Sequence, residues 1–320
     1  ILGQSFLYAG KTDNALKVFT QMNEMLPESI EVFHNLALTR LARQEYPQAI
    51  PLLEEILRIK PDYTPALATL AAIDMQNKQP KKAIERVRHQ QEKYPDNPGN
   101  LLLLGDLLFR QGELEAASTA FHKAQALVPE NPQPYIMIAR IMEKSGKGGE
   151  AIAQYQSLLK NQPDSLQALM GLGPLYEQSG KPEEAKKTYR QLLERDPKFA
   201  PAANNLAWLL TQEANPDLGE ALRLALIAKE RLPNDPNISD TLGFIHYKRD
   251  AYDLATTQFR EALVALPNVP TIRYHLALSL KGQGADDEAL RELKECLREN
   301  IEFPERKEAM ELLRSWQSSR

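Results

Sequence analysis

At 320 residues, with 42% hydrophobic side chains, the chain is longer than a single compact core sustains, so several domains or a repeat array are required. Its 39 basic and 43 acidic residues leave a net charge of −4, which offers no broad positive field to nucleic acid or an anionic membrane. The single cysteine, Cys296, excludes an internal disulfide framework and leaves the compartment open, and no apolar run approaches the roughly 20 residues that span a bilayer.

In chain order, the first predicted helix is already under way at Ile1, so upstream sequence is expected; the opening residues lack the basic and apolar regions of a signal peptide. Gly3, Gly10, Ala15 and Pro27 then set a pattern that the rest of the chain repeats. Prolines follow at Pro61, Pro95, Pro129, Pro163, Pro197, Pro233 and Pro267, 34 residues apart except for one interval of 36. With each proline taken as position 32 of a unit, position 8 is always small: Gly3, Ala37, Ala71, Gly105, Ala139, Gly173, Ala207, Gly243 and Ala277. Position 20 is alanine throughout, from Ala15 to Ala289. Two helices approach closely only where side chains are small, so these positions predict the contact between the two helices of one unit. Gly10, Gly112, Gly146, Gly180 and Gly284, at position 15, predict a short turn with positive φ between them. The closing proline stops the second helix, because it lacks an N–H and disfavours helix in the residue before it.

Nine units result, ending near residues 27, 61, 95, 129, 163, 197, 233, 267 and 301, so that residues 1–301 form a continuous array. Asn215, Pro216 and Asp217 predict a turn that lengthens the seventh unit. Residues 302–320 are expected to form a capping helix and tail, with Ala309, Met310, Leu312, Leu313 and Trp316 on one face to cover the apolar end of the array. The predicted fold class is all-α, a solenoid of about nine helix-turn-helix units with a C-terminal capping helix.

Reactive chemistry is poorly represented. The histidines His34, His89, His122, His246 and His275 include no pair spaced to share one helix face as metal ligands. Cys296 falls at a position that other units fill with a small buried residue, which favours packing over nucleophilic catalysis. Gly10, Lys11 and Thr12 follow Gly3 at the wrong interval for a phosphate loop, and Gly171 and Gly173 lack the preceding strand of a dinucleotide fingerprint. The carboxylates Asp286, Asp287 and Glu288 suit the positive end of a helix dipole. Lys81 with Lys82 and Lys186 with Lys187 suit solvated outer faces. No catalytic residue, metal or cofactor is assigned.

The run Leu172, Gly173, Tyr176, Gly180, Ala185, Tyr189 and Pro197, with Leu104, Gly105, Gly112, Ala117, Phe121, Ala124 and Pro129, resembles the tetratricopeptide repeat family. Arg40 and Asp74, at position 11, depart from that family's apolar preference. The resemblance implies a right-handed superhelix whose concave groove is lined by positions 2, 5, 9 and 12 of the first helices. In the N-terminal half these are mainly apolar, including Leu38, Leu41, Ala68, Ala72, Met75, Leu102, Phe109 and Ile136, with Arg140. In units seven to nine they are Asn204, Trp208, Asp240, Phe244, Tyr247, Tyr274 and Leu278, joined by Asn205 and His275 at position 6. This aromatic patch with polar handles is the expected partner-binding groove for a protein or peptide.

The lysine and asparagine clamp by which chaperone-tail binders of that family hold a terminal carboxylate is missing, so a hydrophobic or mixed peptide is the expected ligand. Residues 204–210, 240–243 and 274–277 also look like bacterial cell-envelope repeat proteins of exopolysaccharide export and protein sorting, which implies a periplasmic or envelope scaffold. Two other readings stay open: self-assembly into a homo-oligomer, and the interaction half of a longer enzyme whose catalytic domain lies elsewhere.

Overall fold

The computed structural model describes residues 2–299 and 301–318, and among them every regular element is helical. The chain separates into two compact units, Ile1–Gln162 and Pro163–Arg320, so that the division falls between the fifth and sixth repeats. The first unit contains α1 (Leu2–Tyr8), α2 (Thr12–Met25), α3 (Ile30–Ala42), α4 (Tyr46–Ile59), α5 (Thr64–Gln76), α6 (Pro80–Lys93), α7 (Pro98–Arg110), α8 (Leu114–Leu127), α9 (Pro132–Lys144) and α10 (Gly148–Asn161). The second contains α11 (Leu166–Gln178), α12 (Pro182–Arg195), α13 (Ala200–Thr211), α14 (Leu218–Arg231), α15 (Pro236–Lys248), α16 (Tyr252–Ala265), α17 (Pro270–Gly282), α18 (Asp286–Cys296) and α19 (Arg306–Ser318).

Local chemistry sets these boundaries. Several first helices begin where a short polar side chain takes up free N–H groups: Asn97 accepts from Gly99 and Asn100, Asp235 from Asn237, and Ser165 from Ala168, whereas α5, α13 and α17 start without a side-chain cap and with proline in the first turn. They end where position 15 turns left-handed. The expected glycines do so at Gly10, Gly112, Gly146, Gly180 and Gly284, and Gln44, Lys78 and Asp250 adopt the same conformation without being glycine. Second helices stop ahead of the repeated proline; α8, for example, ends at Leu127, two residues before Pro129.

Each helix pair closes around its small residues. Ala15, Ala49, Ala83, Ala117, Ala151, Ala185, Ala221, Ala255 and Ala289 are fully buried. In the first unit Leu67, Val87, Leu104, Phe121 and Ile138 share one core cluster. In the second, Phe259 and Leu276 anchor one cluster, while Tyr274, Leu293 and Cys296 pack beneath α19 through Ala309.

The two departures from the apolar pattern are neutralised by partners. Arg40 bonds Glu45 at 2.5 Å, and the buried Asp74 pairs with Lys82 and Arg86, each at 2.8 Å. Burial alone would raise the Asp74 pKa, yet hydrogen bonds from Lys82 and Arg86 outweigh it and hold the carboxyl below its usual range. At the lengthened seventh repeat, Asp217 caps α14 through Gly219 and Glu220, and the buried Lys186 reaches Glu213 in the same connection at 2.5 Å. α13, α15 and α17 then lie as successive neighbours in the second unit, and they carry every residue of the predicted aromatic groove.

Candidate functional site

Position 9 places Trp208 on α13, Phe244 on α15 and Leu278 on α17, and Tyr247 follows Phe244 by three residues on the same helix face. The rings meet in sequence: Trp208 and Phe244 have centroids 5.1 Å apart, Phe244 and Tyr247 6.0 Å, and Tyr247 and Tyr252 6.0 Å. These are ordinary separations for tilted aromatic pairs, so the rings hold one another in place. Lys248 sits over the Phe244 ring at 5.4 Å. Trp208, Phe244, Tyr247, Leu278, Asn205 and Asp240 are all half-buried, with surface left for a partner.

Beneath them lies a second layer. Tyr274 is 2% exposed and His275 1% exposed, so these two support the surface rather than form it. His275 is packed among Phe244 at 4.7 Å, Phe259 at 5.6 Å, Trp208 at 6.0 Å and Tyr274 at 6.0 Å. Its Nδ1 lies 2.9 Å from Asp240 Oδ1, so the two groups expected to serve as polar handles satisfy each other across α15 and α17. Tyr274 packs with Leu293 and Cys296 under α19. Its hydroxyl lies near the Glu308 carboxylate without closing a hydrogen bond of normal geometry, and burial together with that charge pushes its ionisation up.

The two asparagines also separate. Asn205 donates through Nδ2 to the Tyr189 hydroxyl at 3.1 Å, which commits its amide to the preceding repeat. Asn204 is buried and its Oδ1 has no donor. Of the nine predicted residues, the structure therefore brings Trp208, Asp240, Phe244, Tyr247, Tyr274 and His275 into one connected cluster and turns Asn205 toward Tyr189.

Sequence reasoning missed Phe259, whose ring at position 24 of the eighth repeat forms part of the floor, and Glu308 of α19, which raises Tyr247 further after burial has done so. The recurrence of a large residue at position 24 was the available signal for the first. Nothing in the repeat pattern points to the second, because α19 lies outside the period. Cys296 fits its expected packing role: burial pushes the thiol up to about 12 and Sγ donates to the Leu293 carbonyl at 3.1 Å, far from thiolate chemistry.

A tetratricopeptide repeat family model matches residues 6–72, 40–98, 74–141 and 108–173, and a second model of that description matches 172–236. A comparison with curated proteins found no match. Among solved structures, the chain resembles one from the APC/C hetero-tetramer Cut9-Hcn1, at TM-score 0.59 and 18% identity over 95% of this chain and 58% of that one. It therefore spans little more than half the length of that relative. A tetratricopeptide repeat protein from Parabacteroides merdae ATCC 43184 is similar at TM-score 0.55 and 18% identity, over 79% of this chain and 98% of that one. YrrB, described as a TPR protein with an unusual peptide-binding site, is similar at TM-score 0.50 and 18% identity, over 63% of this chain and its whole length. At these identities the likeness concerns the fold.

Proposed function

This chain belongs to the tetratricopeptide repeat family, and from that premise we propose that it is a non-catalytic protein-interaction scaffold that holds a peptide or helix of a partner against Trp208, Phe244 and Tyr247. The observation that carries this reading is the ring row itself: Trp208 and Phe244 at 5.1 Å, Phe244 and Tyr247 at 6.0 Å, half-exposed on helices and set over a buried layer that fixes their orientation. Rigid aromatic side chains on a packed floor lose little entropy on binding and bury much apolar area, which is the composition of interface hot spots. The peptide-binding site ascribed to YrrB and the hetero-tetramer of Cut9 with Hcn1 show similar folds in binding and assembly, and they support the same use here.

The test is affinity capture with the purified chain beside a Trp208→Ala, Tyr247→Ala double variant of unchanged helicity. A partner held by the wild type and released by the variant supports the ring row. A partner held equally by both places the binding surface elsewhere, and a chain that captures only itself favours self-assembly. We further propose a setting in a bacterial envelope or exopolysaccharide-export assembly, resting on the resemblance of residues 204–210, 240–243 and 274–277. Fractionation of the source cells tests it, and a partner set confined to the cytoplasm overturns it.

A further inference from the structure

The ring row of α13 and α15 carries polar atoms that the chain itself leaves unbonded. Trp208 Nε1 and Tyr247 Oη have no hydrogen-bond partner among the described residues, and neither is closed off from the surface. Tyr252, beside Tyr247, differs: its hydroxyl donates to Asp250 at 2.6 Å. Asn204 lies one helical turn before Trp208 on the same face, and its Nδ2 is likewise unbonded while its Oδ1 is buried. The free atoms of the row are therefore mainly donors. Asp240, the carboxylate on α15, is held by the buried His275 at 2.9 Å. Charges of both signs flank the rings, with Lys248 over Phe244 and Glu308 acting on Tyr247, so no single-sign field selects a charged ligand.

Those donors discriminate between kinds of backbone. An α-helix has its interior carbonyls engaged in its own ladder, so it would cover Trp208 Nε1 and Tyr247 Oη without supplying acceptors, and a covered donor without a partner is costly. A β-strand offers carbonyls but brings an N–H with nearly every one, and with Asp240 held by His275 the Tyr247 oxygen alone could receive them. A proline-rich segment in the polyproline II conformation avoids both conflicts. It makes no internal hydrogen bonds, its carbonyls project outward, and its prolines have no N–H to satisfy.

We infer that the occupant of the ring row is a proline-rich segment of a partner protein bound as a polyproline II helix, its pyrrolidine rings packed on Trp208, Phe244 and Tyr247 and its carbonyls accepting from Trp208 Nε1 and Tyr247 Oη. The spacing suits it. The centroids of Trp208 and Tyr247 lie 5.1 and 6.0 Å from that of Phe244, so the row spans at most about 11 Å. One turn of polyproline II, three residues rising about 3.1 Å each, advances about 9 Å, which brings equivalent prolines to the two ends of the row. Such a segment is already extended before it binds, so it loses little entropy on docking. This inference rests on the ring-row reading above and narrows it from any peptide or helix to one backbone class.

The probe is a fluorescein-labelled proline decamer, titrated with the full chain and followed by anisotropy beside a glycine–serine decamer and an amphipathic helical peptide. The wild type should bind the proline decamer saturably and leave the glycine–serine decamer unbound. Trp208→Phe and Tyr247→Phe keep a ring and remove one donor, so each should weaken the proline decamer by about tenfold, the loss of one hydrogen bond. Tyr247→Phe should leave the melting midpoint unchanged, because no bond within the chain is lost. Equal binding by both phenylalanine variants overturns the inference, since the donors would then not be read. It is also overturned if the proline decamer does not bind, or if Trp208→Ala, Tyr247→Ala binds it as the wild type does. If the helical peptide binds instead and the double alanine variant releases it, the backbone class is wrong while the ring row stands as the interaction site. If that variant also keeps every partner captured by the wild type, the ring-row reading falls as well.

Discussion

Gly173 lies against the ring of Tyr189, so close that a Cβ at residue 173 would collide with it. The same relation joins Gly3 to Phe19, Gly105 to Phe121 and Gly243 to Phe259, where an added Cβ would lie 2.6, 2.8 and 2.7 Å from the ring. Position 24 thus takes a ring where position 8 has no side chain. Where position 8 is alanine, position 24 is smaller: Ala37 with Leu53, Ala71 with Val87, Ala207 with Ala225 and Ala277 with Leu293. Ala139 with Tyr155 is the exception.

Gly173→Ala should therefore destabilise the second unit by about 1–3 kcal/mol, the usual cost of forcing a methyl into a packed core. Combining it with Tyr189→Leu, which restores the Ala37 and Leu53 pairing type, should cost less than the sum of the two single changes. A double-mutant cycle on thermal unfolding reads the coupling, and additive penalties would show that the two residues do not share the space.

The left-handed turn supplies an opposite case. Lys78 has φ of 58°, as has Asp250, and Gln44 has φ of 62°, where five other turns hold glycine. An L-residue in this region pays about 1 kcal/mol, so Lys78→Gly should stabilise by roughly that amount, offset in part by added freedom in the unfolded chain. Gly112→Ala, at φ of 80°, should be destabilising by a similar amount. Equal melting midpoints for Lys78→Gly and wild type would mean that the unfolded-state term cancels the strain.

Much of this was legible because it repeats. The period, the small residues and the closing prolines are each written nine or eight times, and they dictate the helix pairs and the lengthened seventh repeat. Position 15 is legible only where it is glycine; Gln44, Lys78 and Asp250 take the same left-handed conformation without it. Register alone puts the aromatic residues on α13, α15 and α17, yet it says nothing of their layering. Whether Tyr274 points to solvent or under α19 depends on a helix outside the period, and His275 meets Asp240 across 35 residues through a bond that no spacing rule encodes.

Glu177 should give a pH signature. Burial raises its pKa above the ordinary 4.5, against the hydrogen bond that the Tyr189 hydroxyl donates to it at 2.6 Å. A raised folded-state value means that its stabilising contribution is complete below the unfolded value and is lost as pH rises through the folded one. Glu177→Gln stays neutral and still accepts from Tyr189, so its melting midpoint should equal or exceed that of the wild type at pH 7.5 and lose that advantage by pH 4. An advantage that grows on acidification would contradict the assignment.

The two layers of the ring cluster predict a division between folding and binding. His275→Ala removes a ring packed against Phe244 at 4.7 Å and Phe259 at 5.6 Å, and it strips Asp240 of its hydrogen-bond partner. The cavity and the unpaired, half-buried carboxylate together should cost about 2–4 kcal/mol. Trp208→Ala removes a half-exposed ring, so its effect on unfolding should be smaller, about 1–2 kcal/mol, while partner affinity should fall at least tenfold if the row is a hot spot. Asp240→Ala on the His275→Ala background separates the causes: once the ring is gone the carboxylate has nothing to pair with, so removing it should recover part of the loss. If the double variant is no more stable than His275→Ala, the cavity accounts for the whole penalty and the Asp240 bond contributes little to the floor on which the rings stand.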